Sequence, residues 1–116
     1  MRSDRLRLKD ILDAIAIIEQ HTPASRAQFD ADFPIRTLLL FHIQVIGEAI
    51  SRVSQPLRDA NPDIPWKPIA RMRNIIARVY FGIDWNEVWQ VVRNDIPALK
   101  IRIQAILDSL LPDPIP

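Results

Sequence analysis

At 116 residues, 48% of them apolar, the chain is long enough to fold as one domain with a core of its own. The absence of cysteine excludes disulfide scaffolds, thiolate metal sites and cysteine nucleophiles, and two scattered histidines make no metal cluster, so neither metal nor cofactor is expected. A net charge of +1 does not mark the whole chain as a polyanion binder, but Lys67, Arg71, Arg73 and Arg78 all fall between Asp63 and Asp84, where no acidic residue occurs.

Two glycines against ten prolines, with abundant Leu, Ile, Ala, Arg and Gln, predict helices punctuated by proline. Ser3 can cap a first helix, along which Leu8, Ile11, Leu12, Ile15 and Ile18 recur at the spacing of one buried face. Thr22-Pro23 ends it, and Ser25 with Gln28 reads as the capping box of a short helical turn. A long helix begins near Pro34. Its first apolar stripe is Leu39, Ile43, Ile46, Ile50 and Val53, and its second is Leu38, Phe41, Val45 and Ala49. Two stripes predict a helix covered on two sides, inside a bundle or at a subunit interface.

The chain breaks around Ser54-Gln55-Pro56, restarts briefly, and passes through the connector Asn61 to Pro65. Trp66 to Tyr80 reads as the next helix, with Pro68 tolerated in its first turn. Gly82 suits the left-handed residue that closes it. Asp84 caps the last helix, whose stripe Trp85, Trp89, Val92, Ile96, Leu99, Ile103, Ile106 and Leu110 keeps heptad phase through Pro97, predicting one kinked helix rather than two. The expected fold class is all-α, a four- to five-helix bundle forming one domain over residues 1–110, with a frayed Pro-rich tail over 111–116. The charged start Met1 to Arg5 shows no signal peptide, and the apolar run Leu38 to Phe41 is cut by His42 and Gln44. A cytoplasmic protein without membrane contact is expected.

On a helical wheel of residues 66–80, Ile69, Met72, Ile76 and Val79 face the core. Arg73, Ala77 and Tyr80 form one neighbouring line; Arg71, Asn74 and Arg78 form another. Guanidinium forks match phosphate oxygens bidentately, and an amide and a phenol can orient or stack on a ligand, so a phosphodiester suits this face. A basic stripe near a helix C-terminus is also an ordinary solvated face.

The run Met72-Arg73-Asn74-Ile75-Ile76-Ala77-Arg78-Val79-Tyr80-Phe81-Gly82-Ile83-Asp84 resembles the signature of the HepT-like ribonuclease toxins of the HEPN superfamily, Met-Arg-Asn, three mostly apolar residues, His, any residue, Tyr, then Phe-Gly-Ile-Asp. Ile46-Gly47-Glu48-Ala49, Pro62 to Trp66, Trp89 and Asp95 to Lys100 fit in the same order. The resemblance implies an all-helical homodimer and a metal-independent RNA endonuclease acting on tRNA or mRNA. It further implies the toxin of a type VII toxin–antitoxin pair, silenced when a cognate minimal (MntA-like) nucleotidyltransferase adds AMP to the motif tyrosine. By the motif, Arg73 is the catalytic arginine, Asn74 its polar neighbour and Tyr80 the modified residue. On the helix face Arg71, Arg73 and Arg78 can bind RNA phosphate, and Glu48 either orients Arg73 by an ion pair or forms a structural salt bridge.

Arg78 stands where the signature has histidine. Activating a ribose 2′-hydroxyl needs a base that titrates near neutrality, and a guanidinium with a pKa above about 12 cannot take that proton. It can still bind phosphate and stabilise developing charge. The substitution is either a natural loss or an inactivating change, and weak or absent nuclease activity is expected. The alternative function is a non-catalytic module that binds nucleotide or antitoxin through the same face. His21 is expected to be exposed, His42 to be a satisfied, partly buried residue, and Trp66, Trp85 and Trp89 to be core or interface anchors.

Overall fold

The computed structural model describes residues 3–70, 82–110 and 112, and among them every regular element is helical. Helix α1 spans Asp4–His21, with the Ser3 hydroxyl accepting the Leu6 N–H at 3.1 Å as its cap. It buries Leu8, Ile11, Ala14, Ile15 and Ile18, and Leu12 packs at the edge. The extended Thr22 ends it before Pro23. The Thr22 hydroxyl donates to the Ile18 carbonyl at 2.7 Å and His21 Nδ1 to that of Ile17 at 2.9 Å, satisfying carbonyls that the helix end leaves free. That back-bond lays His21 along the helix, so it is half-buried rather than exposed.

Helix α2 (Arg26–Ala31) starts at the predicted capping box: Ser25 Oγ accepts the Gln28 N–H at 3.2 Å, and Gln28 Oε1 reaches back to the Ala24 N–H at 3.1 Å. Its buried residue is Phe29. Helix α3 (Phe33–Ser51) is capped by Asp32, whose carboxylate accepts the Ile35 N–H at 3.1 Å. The first apolar stripe is buried throughout. The second is not: Ala49 is buried, Leu38 and Val45 are half-buried, and Phe41 is 56% exposed. Helix α1 covers one side of α3, leaving the Phe41 side open among the described residues.

Among the described residues α3 is also the one helix long and apolar enough to cross a bilayer by length and composition, with 19 residues and a mean hydropathy of 1.3. The short run Leu38 to Phe41 understated it. Its Leu39, Ile43, Ile46 and Ile50 are fully buried in the protein, the placement of a core helix.

Ser54 caps α4 (Gln55–Ala60) and ties it to the start of α1: Asp4 Oδ1 accepts the Ser54 N–H at 2.9 Å, and Asp4 Oδ2 accepts its hydroxyl. Arg58 closes the same corner, donating to the carbonyls of Ile50 (2.8 Å) and Val53 (3.0 Å). Helix α5 (Trp66–Ala70) packs on α3.

The last helical path is α6 (Trp85–Gln90), a π-helical turn Val91–Asp95, and α7 (Ile96–Ser109), which packs on α1. Pro97 has no N–H, and its ring would meet the Arg93 carbonyl in a regular helix. The wide turn, in which the Ile96 N–H reaches the Val91 carbonyl, accommodates it without breaking the helix. The expected single helix is therefore present. Val92, Ile96, Leu99, Ile103 and Ile106 are buried, while Trp85, Trp89 and Leu110 are half-buried at the ends of the stripe.

Candidate functional site

The residues named for catalysis and phosphate binding (Arg71, Arg73, Asn74, Arg78) and for modification (Tyr80) lie outside the described residues, as does most of the tail 111–116. The structure describes both shoulders of the basic segment. On the entry side, Trp66 is buried and its indole N–H donates to the Asn61 carbonyl at 3.0 Å. The Ile69 N–H reaches the Pro65 carbonyl at 3.1 Å, starting the helix as Pro65 and Pro68 prescribe. Ile69 and Ala70 pack against the core, which leaves Lys67 exposed. On the exit side, Gly82 has φ +89°, the left-handed conformation that the sequence predicts for it. Asp84 then starts α6 by accepting the N–H groups of Asn86 (3.0 Å) and Glu87 (3.2 Å).

Helix α3, on which α5 rests, contributes Glu48 and His42. Glu48 accepts Arg52 Nε at 2.8 Å, one helical turn along, with both side chains about half exposed. The expected support of Arg73 by Glu48 involves a residue outside the described ones. His42 donates from Nδ1 to the Leu38 carbonyl at 2.8 Å, and it is half-buried as expected. It lines a groove of about 600 Å³ between α1 and α3, with Arg7, Asp10, Phe41, Val45 and Glu48. Asp13 lines the same groove, in which the Glu48 carboxylate is paired with Arg52. Among the described residues no three His, Asp or Glu side chains could share a metal ion.

Sequence reasoning missed a second cluster, where α2, α3 and α6 meet. Phe29, fully buried, touches Trp89 (centroids 4.9 Å apart) and Trp85 (6.2 Å, edge to face). Phe33, at the first turn of α3, stands edge to face with Trp85 at 6.4 Å and is 62% exposed. The Arg36 guanidinium lies 4.6 Å from the Trp85 ring centre, 5.5 Å from Phe33 and 6.0 Å from Phe29, and Arg93 lies 5.2 Å from Trp89. Phe29, Phe33 and Arg36 recur at helical spacing across a helix break, which hides them from a search for one continuous stripe. Trp85 and Trp89 anchor the α6 end as expected, but with an open aromatic edge.

Comparison with known proteins gives a match to the family model "Ribonuclease HepT-like" over residues 11–106. A Methanocaldococcus jannaschii protein described as "Gamma-glutamylcyclotransferase and putative RNase" is 38% identical over 113 residues, 95% of this chain. The chain spans only 50% of that relative's length. A Thermococcus cleftensis protein described as "Probable ribonuclease HepT" is 33% identical over 106 residues, covering 90% of this chain and 96% of the relative. No solved structure matches the chain.

Proposed function

The chain belongs to the HepT-like ribonuclease family, and on that premise we propose that it is the toxin of a toxin–antitoxin pair, a metal-independent RNA endonuclease working as a cytoplasmic homodimer. The observation that supports this reading most is the ordered run Met72 to Asp84 inside a family match over residues 11–106. In this reading Arg73 and Asn74 hold the scissile phosphate, Arg71 adds positive charge, and Arg78 occupies the position of the motif histidine. Two copies facing each other would combine their arginines into an anion well deeper than one chain of net charge +1 supplies. A cognate minimal nucleotidyltransferase silences the site by transferring AMP from ATP to the Tyr80 hydroxyl with release of pyrophosphate, placing bulk and negative charge against Arg73 and Arg78.

The histidine's task is to take the proton of the ribose 2′-hydroxyl as its oxygen attacks the neighbouring phosphorus. Arg78 cannot do this at neutral pH, though it can stabilise the charge that develops on the phosphate. This single residue also favours the second reading, a non-catalytic module that binds nucleotide or antitoxin. The deciding experiment compares cleavage of a tRNA pool by the purified chain and by Arg78→His in excess chelator. The first reading expects cleavage by the histidine form and little or none by the parent. If neither form cuts while both bind RNA, the module reading replaces it. Co-expression with a nucleotidyltransferase is expected to add the mass of AMP to Tyr80 alone, and modification only elsewhere would remove Tyr80 from the account.

A further inference from the structure

We propose that the patch formed by the exposed Phe33 with the half-buried Arg36 and Trp85 is a stacking platform for the bases of single-stranded RNA, a binding site separate from the basic segment 71–80. The inference rests on the ribonuclease reading for its ligand, and on the following geometry for its place.

Phe33, at the start of a core helix, leaves 62% of its surface exposed, and a lone exposed ring would be ordinary. Phe33 does not stand alone: Trp85 meets it edge to face at 6.4 Å, and the Arg36 guanidinium lies 5.5 Å from one ring and 4.6 Å from the other. Arg36 Nε is buried without a hydrogen-bond partner. Among the described residues neither Arg36 nor Arg93 is ion-paired, so both cations are held by ring faces. The acids nearby have other tasks. Asp30 pairs with Arg26 at 2.8 Å, while Asp32 and Asp84 cap α3 and α6 through backbone N–H groups; Glu87, one turn into α6, also has an interaction. The patch therefore presents the exposed Phe33 ring, with a guanidinium and the half-buried Trp85 ring beside it. Nucleic-acid bases offer a π face whatever their sequence, and their phosphates offer the opposite charge.

Chain connectivity supports the same ligand. Trp85 follows Tyr80 by five residues, a reach of at most about 18 Å, so one short RNA strand can span the motif and the platform. A duplex keeps its bases stacked on one another and has none to offer. The platform therefore selects unpaired RNA.

The test measures fluorescence anisotropy of a fluorescein-labelled, adenine-rich RNA oligonucleotide, single-stranded and as a duplex, with the full chain, Phe33→Ala, Arg36→Lys and Arg73→Ala. Phe33 is exposed, so its truncation leaves the core intact, and circular dichroism checks this. Both platform variants are expected to weaken single-strand binding about fivefold or more, the loss of one stacked base, and to leave duplex binding unchanged. Lysine keeps the charge of Arg36, so a loss in R36K marks stacking rather than attraction. If F33A and R36K both bind the single strand as tightly as the parent, the platform is overturned. If F33A leaves RNA binding intact but shifts the sedimentation coefficient, the patch belongs to a second copy of the chain, and the proposal also falls. Weak binding by R73A with normal binding by F33A overturns the platform and leaves the motif site standing. Weakened binding by F33A, with cleavage by neither the parent nor R78H, keeps the platform and removes the ribonuclease.

Discussion

Gly82 gives the sharpest test of how the segment after Tyr80 is joined to α6. Its φ of +89° lies in a region that an L side chain rarely adopts, and among the described residues a Cβ built there meets no atom within 4 Å. In Gly82→Ala the expected cost is backbone strain, about 1–2 kcal/mol. For a chain of about this size a loss of 1 kcal/mol lowers Tm by roughly 4–8 °C. In urea, with a slope of about 1–3 kcal/mol per molar, the midpoint should fall by roughly 1 M while the slope stays constant. Gly82→Asn is the matched control, because Asn tolerates positive φ better than Ala and should lose less. The reasoning is refuted if Gly82→Ala melts with the parent, or if it loses more than about 3 kcal/mol, since strain at one residue cannot supply that much.

Phe29→Ala removes a fully buried ring that touches both Trp85 and Trp89, and should cost about 3–5 kcal/mol in urea denaturation with a change in native tryptophan fluorescence. A loss below about 1 kcal/mol would mean that α2 does not anchor the α6 end. Asp4→Ala leaves the Ser54 N–H and hydroxyl without their acceptor and should cost about 1–3 kcal/mol. In a double-mutant cycle, Asp4→Ala and Ser54→Ala should cost less together than the sum of the two, and strict additivity would remove this latch between α1 and α4.

Helices, their starts and their stops were legible in the sequence because their causes are local. Ser3, Ser25 and Asp84 cap through atoms two or three residues away, so spacing alone reveals them. The positive φ of Gly82 was legible for a similar reason, since glycine takes that conformation without cost. The buried faces of α1 and α7 followed from period alone, since a stripe that recurs every three or four residues has one side to hide. The family was legible too, through the ordered run Met72 to Asp84 that the match over residues 11–106 bears out.

Tertiary structure decided what depends on residues far apart in the chain. The second stripe of α3 looked as apolar as the first, yet Phe41 stays exposed, because coverage depends on where α1 lies and not on the stripe itself. Pro97 announced a disturbance, but its form, a π turn within one helical path, was set by the need to keep Val92 and Ile96 both facing the core. The Arg36 cluster needed three elements to meet: the rings at positions 29, 33, 85 and 89 lie up to 60 residues apart, and no local pattern joins them. Periodicity reports which face of a helix avoids water; only the packing of several helices decides which rings remain on the surface for a ligand to meet.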